Sequence, residues 1–248
     1  MNTTSILNVN NLSKTYHTVL GETIAIKDIT FNINKDEFIG IIGPSGCGKS
    51  SILNIISGLD NDYTGNITIN KNIKIAYMLQ EDALFPWLTI MDNVLLPLKI
   101  KKMLTKENIE YAIELLKKYG LYDFKDKYPN YLSGGMKQRV ALIRTLTLKP
   151  DILLLDEPFS ALDYQTRLKV SDDVFKIIKN EHKTALIVSH DISECISLCD
   201  RIIVLSKRPS IIKNIHEINL ENRSTPICNR ESPNFTEYYK MIWKEIDE

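Results

Sequence analysis

The stretch GPSGCGKSS at residues 43–51 constrains the fold more than any other part of this 248-residue chain. It follows a continuous apolar run, EFIGII, that is typical of a buried strand, and it precedes SILNIIS, which is compatible with a helix. A strand, a glycine-rich turn and a helix point several backbone N–H groups and the positive end of the helix dipole at one spot. The pattern predicts a binding site for a phosphate chain, because a chance glycine-rich turn would not explain the flanking elements.

The residues of this loop indicate how a nucleotide would be held. Lys49 would neutralise the β- and γ-phosphates, and the hydroxyl group of Ser50 would complete the coordination shell of Mg²⁺. Cys47 lies near a helix N-terminus, which favours a reactive thiolate, although a small buried residue is the alternative interpretation. Nucleotide contacts are predicted for Gly43, Pro44, Ser45, Gly46, Cys47, Gly48, Lys49, Ser50 and Ser51.

The composition favours one cytosolic domain with a substantial core. Hydrophobic residues make up 44% of the chain, while 31 basic and 31 acidic residues leave no net positive field for nucleic acid or anionic lipid. The N-terminus lacks the features of a signal peptide, and no segment approaches the roughly 18 apolar residues of a membrane span. Four scattered cysteines agree with a reducing compartment. A role at a membrane would therefore require a protein partner.

The order of sequence patterns predicts an α/β fold with an inserted helical segment. Strand-like runs dominate up to residue 80, helical spacing follows, and strands alternate with helices from residue 151 onward, as in a parallel sheet with crossover helices. TKENIEYAIELLKKYG predicts a helix that Gly120 ends. We predict a nucleotide-binding core of residues 1–80 and 149–220, a helical subdomain of residues 81–148 and a C-terminal tail of residues 221–248.

A second apolar run, ILLLDEP at 152–158, ends in two acidic residues. Asp156 would lie at the C-terminal end of a buried strand, where α/β sheets bind ligands, and can hold Mg²⁺ through water. Glu157 would then lie beside the γ-phosphate, where a carboxylate can orient a water molecule for in-line attack. The alternative is that Glu157 merely caps a turn; the neighbouring Asp156 and Pro158 favour a general base.

The stretch YLSGGMKQR at 131–139 indicates a further anion site, because small residues with exposed amides precede the helix MKQRVALIRTLTL. Ser133, Gly134 and Gly135 could instead form an ordinary helix cap, in which the serine satisfies a free amide. Two glycines cost helix propensity of roughly 1 kcal/mol each, which a cap without a ligand would not require. The residues alone leave both interpretations open.

With YLSGGMKQR, LLLDEPFSALD and LIVSHD following the phosphate loop in this order, the chain resembles an ATP-binding cassette (ABC) transporter ATPase over nearly its whole length. The resemblance implies a P-loop NTPase (RecA-like) α/β core with a mixed N-terminal β-sheet and the inserted helical subdomain. It also implies ATP and Mg²⁺ as ligands and a head-to-tail dimer with two ATP molecules between its subunits. Ser133, Gly134 and Gly135 would then contact ATP held by the other subunit.

The resemblance assigns further residues one at a time. Tyr16 matches the aromatic residue that stacks on adenine, although a half-buried strand tyrosine is the alternative. Gln80 matches the glutamine that senses Mg²⁺ and the attacking water, and His190 matches the γ-phosphate contact. The catalytic residues are therefore predicted to be Glu157, His190 and Gln80, and the Mg²⁺ ligands Ser50, Gln80 and Asp156. Asp163 would lie at the dimer interface.

The loop EDALFPWLTIMDNV at 81–94 carries the prediction of a membrane partner. An exposed cluster from Leu84 to Trp87 would fit a pocket on a permease. The segment resembles the corresponding part of the ATPases of importers for nitrate, taurine, aliphatic sulfonates and pyrimidine precursors. The alternative is that Trp87 belongs to the core. The protein would then be a peripheral ATPase at the cytoplasmic face of the membrane. Its other partners would be a second copy of itself and, indirectly, a solute-binding protein, and it would not bind nucleic acid. The alternative function is a soluble ABC-type ATPase that acts on DNA or ribosomes.

Overall fold

A computed structural model describes residues 5–18, 21–80 and 83–247 of the chain. Within these ranges no helix is both long and apolar enough to cross a bilayer. The elements are β1 (Ser5–Thr18), β2 (Gly21–Asn34), β3 (Phe38–Ile42), α1 (Lys49–Ile56), β4 (Thr64–Ile69), β5 (Ile75–Met78), α2 (Ile90–Ile100), α3 (Lys106–Lys118), α4 (Gly134–Leu146), β6 (Ile152–Asp156), α5 (Tyr164–Asn180), β7 (Thr184–Ser189), α6 (Ile192–Leu198), β8 (Arg201–Leu205), β9 (Ile212–Glu217), α7 (Pro226–Asn229) and α8 (Phe235–Asp247).

The main sheet has the order β5-β6-β7-β3-β8-β9 and is parallel except for β9. Strands β3, β6 and β7 are buried at every residue, as expected of a parallel sheet covered on both faces. Ile42 of β3 is level with Ser189 of β7, and Asp156 of β6 is level with Val188. The carboxyl ends of these strands therefore share one edge, and the loops that follow them meet there. The predicted fold class is confirmed.

A smaller N-terminal sheet has the strand order β2-β1-β4. It shares an apolar cluster with helix α1 and the main sheet. Its three strands pair antiparallel, and one isolated parallel bridge joins Ile26 of β2 to Ser210. Fully buried side chains such as Leu12, Ile29 and Ile33 join Ile52 and Leu53 of α1 in one apolar cluster. This packing fixes the β1–β2 hairpin, and with it Tyr16, relative to the phosphate loop.

Helices α2, α3 and α4 form the segment inserted between β5 and β6, and Leu98 of α2 and Leu116 of α3 are fully buried in its core. Helix α3 agrees with the predicted helix: Thr105 caps its first turn, and Gly120 follows with a left-handed φ of 69°. Helix α8 of the tail packs through the fully buried Ile242. The division into core, helical subdomain and tail at residues 80, 148 and 220 remains a prediction.

Candidate nucleotide-binding site

A cleft of 650 Å³ opens between the shared edge of the main sheet and strands β1 and β2, which contribute Tyr16 and Ala25. It brings together most residues that the sequence analysis predicted: Tyr16, Ser45, Gly46, Gly48, Lys49, Ser50, Ser51, Gln80, Glu157 and His190. Ala25 and Arg208 also line it, and neither was predicted. Gly43 and Pro44 line an adjoining groove, which shares Ser45 and His190 with the cleft. One cavity thus brings the predicted phosphate-binding loop together with aromatic and acidic groups from distant parts of the chain.

The phosphate loop is shaped by two glycines with left-handed backbone angles. Gly46 has φ 72°, and Gly48, at the N-cap of α1, has φ 105°, a value that side-chain-bearing residues avoid. The ammonium group of Lys49 donates to the carbonyl oxygens of Gly43 at 2.9 Å and Pro44 at 3.1 Å, so it lies across the loop. A compact cation and the start of a helix therefore face the same space, which suits a polyphosphate.

Cys47 is the exception within the loop, because its side chain points into the core and is 1% exposed. Burial raises the pKa of its thiol, although the charge of Lys49 opposes this effect. The structure therefore supports a buried apolar filler rather than a reactive thiolate at the helix N-terminus.

Oxygen atoms suited to a hard cation lie behind the loop. The hydroxyl group of Ser50 donates to Oδ1 of Asp156 at 3.0 Å, and Tyr77 donates to Oδ2 of the same carboxylate at 2.9 Å. Burial raises the pKa of Asp156, while the hydrogen bonds from Tyr77 and Ser50 oppose that rise. A hydroxyl and a carboxylate oxygen in contact fit Mg²⁺, which uses few protein ligands and keeps waters and phosphate oxygens. The sequence analysis missed Tyr77, because its contact joins neighbouring strands.

Gln80, Glu157 and His190 meet at one end of the cleft. Oε2 of Glu157 accepts a hydrogen bond from Nε2 of Gln80 at 3.4 Å and lies 3.0 Å from Nδ1 of His190. The backbone of Glu157 is left-handed, with φ 42°. Its N–H donates to the carbonyl oxygen of Val188 at 2.9 Å, which stabilises this conformation. Non-glycine residues rarely adopt this conformation, and functional sites are where it concentrates. The side chain of Glu157 is 20% exposed, so its carboxylate is accessible to a water molecule in the cleft.

Tyr16 of β1 is the aromatic residue that lines the cleft. Its hydroxyl group lies 2.8 Å from Oγ of Ser51, and the ammonium group of Lys14 lies 4.9 Å from the centre of its ring. Lys14 is itself buried and paired with Asp60 and Asp62. The ring is therefore held in place while 39% of the residue stays exposed, as a surface for stacking an aromatic base requires. This placement agrees with an adenine contact, whose role remains a prediction.

Ser133, Gly134 and Gly135 do not line the cleft. Ser133 caps α4 by accepting from the N–H of Met136 at 3.4 Å, and both glycines lie in the first helical turn. A Cβ on Gly135 would lie 2.5 Å from Cγ2 of Val170 in α5. Packing against α5 therefore explains Gly135 without a ligand, which weakens the argument from helix propensity. Ser133 and Gly134 remain exposed at the helix start and can contact an anion from another molecule.

The cluster expected to be exposed from Leu84 to Trp87 is exposed only in part. Leu84 is 8% exposed and belongs to the core of the helical segment, so the prediction that it faces a partner was wrong. Phe85 and Trp87 are 39% and 67% exposed, with ring centres 5.2 Å apart. Glu81 and Asp82, which begin this loop in the sequence, lie outside the described residues. Asp163 is exposed and caps α5, accepting from the N–H of Thr166 at 3.0 Å.

Known proteins are similar to this chain in both sequence and fold. The family model described as "ABC transporter" matches residues 26–160. The chain is 45% identical to the uncharacterized ABC transporter ATP-binding protein YtlC of Bacillus subtilis (strain 168), covering 98% of this chain and 96% of the relative. It is 36% identical to the aliphatic sulfonates import ATP-binding protein SsuB of Bacillus cereus, covering 97% of this chain and 96% of SsuB.

A solved structure of the ATP-binding cassette MJ0796, a dimer in a post-hydrolysis state bound to ADP and Pi, is also similar. It is 34% identical and superposes with a TM-score of 0.72 over 86% of this chain and 99% of that one. The family that the ordered motifs predicted is therefore confirmed. The chain belongs to the ABC transporter family and is an ATP-hydrolysing cassette subunit of that family.

Proposed function

We propose that this chain is the energy-coupling subunit of an importer. Two copies would bind two ATP molecules head to tail, closure of the dimer would move a membrane permease, and hydrolysis would reset it. The protein would lie at the cytoplasmic face of the membrane, and a solute-binding protein would be an indirect partner that acts through the permease. The relative SsuB, named for the import of aliphatic sulfonates, supports a small anion as the solute.

The contacts at the end of the cleft support a hydrolysis step in which Glu157 acts as general base. Its Oε2 atom, between Gln80 and His190, can accept a proton from a water molecule that attacks the γ-phosphorus. Lys49 would stabilise negative charge on the phosphate oxygens, and His190 would contact the γ-phosphate. Ser50 and Asp156, with Gln80 as a further ligand, would hold Mg²⁺, which supplies charge neutralisation between the phosphates.

The observation that carries the permease assignment is an exposed aromatic pair, Phe85 and Trp87, in a segment that Asn93 holds by hydrogen bonds. Asn93, fully buried, accepts the N–H of Phe85 at 2.7 Å and donates to the carbonyl oxygens of Phe85, Leu88 and Thr89 at 3.0–3.1 Å. Holding the loop in one conformation lowers the entropic cost of binding a partner. Phe85 and Trp87 thus present aromatic surface of the kind that anchors protein interfaces.

Dimerisation is tested by multi-angle light scattering of Glu157→Gln with Mg²⁺ and ATP. Ser133→Asp and Ser133→Asn are added separately, because Asp and Asn cap helices about equally well while only Asp adds a negative charge opposite the partner's γ-phosphate. Glu157→Gln and the Asn variant are expected to dimerise, and the Asp variant to require at least roughly tenfold more protein, about 1.4 kcal/mol. Equal dimerisation of the Asp and Asn variants would show that Ser133 only caps α4.

The permease contact is tested by affinity purification from detergent-solubilised membranes of the source cells. The double variant Phe85→Ala/Trp87→Ala is compared with Trp243→Ala, which removes an exposed tryptophan of similar exposure, 55%, from α8. A polytopic membrane protein should copurify with the wild type and the control but not with the double variant. Recovery of ribosomes or DNA instead, unaffected by the double variant, would favour the soluble ATPase. Uptake of taurine, an alkanesulfonate and nitrate by the reconstituted complex would then identify the solute class.

A further inference from the structure

Arg208 places a guanidinium group in the nucleotide cleft, although it lies far along the chain from the phosphate loop. Its Nη2 atom donates to the carbonyl oxygen of Gly46 at 2.6 Å and its Nε atom to the same oxygen at 3.2 Å. The two residues are 162 positions apart in sequence. Arg208 also lines the cleft, together with Tyr16 and Lys49. A second cation therefore lies at the phosphate loop, and the sequence motifs do not account for it.

The backbone beside Arg208 is fixed to the wall of the cleft. Ser210, fully buried, donates to the carbonyl oxygen of Ala25 through its N–H at 3.0 Å and its hydroxyl at 3.1 Å. The N–H of Lys27 donates back to the carbonyl oxygen of Ser210 at 2.9 Å. Ala25 of β2 itself lines the cleft. The hydrogen bonds between Ser210 and β2 therefore hold the neighbouring Arg208 in a defined position.

The charge of Arg208 is not compensated within the described residues, where no acidic side chain pairs with it. A guanidinium has five N–H donors, and the carbonyl oxygen of Gly46 engages only its Nε and Nη2 side. The remaining donors are available to a ligand in the cleft, and the geometry of the group matches phosphate oxygens. Residues that only brace a loop do not require an unpaired charge.

We propose that Arg208 is a nucleotide-binding residue that contacts the phosphate chain of ATP or ADP beside Gly46. This inference rests on nucleotide binding in the cleft. Lys49 reaches the phosphates from within the loop, and Arg208 reaches them from the segment that follows β8. Tyr16 would hold the base at one end and Glu157 would act at the other, so Arg208 adds affinity for the phosphates that ATP and ADP share.

The test measures Mg-ADP binding by isothermal titration calorimetry, since ADP avoids both turnover and dimerisation. Arg208→Gln removes the charge but keeps an N–H donor for the carbonyl oxygen of Gly46, whereas Arg208→Ala removes both. Lys207→Gln is the matched control, because Lys207 is the neighbouring exposed cation and lines the adjoining groove rather than the cleft. Thermal unfolding without nucleotide reports the integrity of each variant.

Arg208→Gln is expected to bind ADP about tenfold more weakly, equivalent to about 1.4 kcal/mol, with a smaller dependence on salt concentration and unchanged thermal stability. Lys207→Gln is expected to stay within about twofold of the wild type, since Lys207 is not among the residues that line the cleft. If Arg208→Gln binds like the wild type while Arg208→Ala binds weakly, Arg208 braces the loop and the proposal is overturned. If Lys207→Gln loses as much affinity as Arg208→Gln, ADP responds only to the overall positive charge near the loop and not to a contact with Arg208, and the proposal also fails. A wild-type protein that does not bind ADP would instead refute nucleotide binding itself.

Discussion

Substituting Gly135 by alanine tests whether packing or a ligand explains the glycine pair that opens α4. A Cβ at this position would lie 2.5 Å from Cγ2 of Val170, about 1 Å inside the 3.5–4.0 Å at which carbon atoms pack. Val170 is 4% exposed and lies on α5, whose backbone would have to shift. Overpacking of this size costs about 3 kcal/mol, the upper end of the usual range. Alanine regains about 1 kcal/mol of helix propensity, so the net destabilisation should be about 2 kcal/mol.

The assay is urea unfolding followed by circular dichroism, with Gly134→Ala as the neighbouring control. A Cβ on Gly134 would meet only the terminal Cδ2 methyl of Leu162 at 2.9 Å, and a side-chain end can rotate away. We therefore expect Gly134→Ala to cost less than about 1 kcal/mol. A double-mutant cycle with Val170→Ala should recover most of the loss in Gly135→Ala, because it removes the overlapping methyl group.

A stability of Gly135→Ala equal to or above that of the wild type would refute the packing explanation. The glycine would then be retained for a ligand that approaches the backbone of α4. A loss of stability that Val170→Ala does not rescue would also contradict the explanation, since it would place the strain elsewhere.

Three further predictions follow from buried groups. Burial and the charge of Asp191 raise the pKa of Glu194 from 4.5 to about 8, so the folded state keeps a proton that the unfolded state releases, and stability falls as pH rises between these values. Glu194→Gln should therefore gain stability over the wild type at pH 8 but not at pH 4.5 in urea unfolding; an equal difference at both pH values would contradict this. Asn93→Ala should destabilise the fold by about 2–4 kcal/mol in the same assay, because it leaves the amide and carbonyl groups around Phe85 unsatisfied. Cys47 should react with a thiol reagent only at the rate of unfolding, whereas the exposed Cys228 should react at once; fast modification of Cys47 would show that the loop opens.

Local sequence pattern was sufficient to predict the elements that would hold the phosphates. The amides of the turn from Gly43 to Gly48 are adjacent along the chain, so residue type and order alone predict that they surround an anion. Asp156, Glu157 and His190 were predictable for a related reason. Each follows a strongly apolar strand, and parallel strands bring their carboxyl ends to one edge of the sheet.

Contacts between distant segments could not be derived from such patterns. Tyr77 reaches Asp156 from the adjacent strand, and Arg208 reaches Gly46 from a segment 162 positions away in the sequence. The burial of Leu84 likewise depends on how α2 packs over the loop, which an apolar residue beside two exposed aromatics does not reveal.

The sequence by itself therefore determined the phosphate loop, the acidic strand ends and the family. Only the tertiary structure decided which side chains complete the site, which aromatics remain exposed and why Gly135 is a glycine. The physical reason is that backbone direction and hydrogen bonding are set by neighbours along the chain, whereas burial and side-chain contacts depend on the relative positions of packed elements.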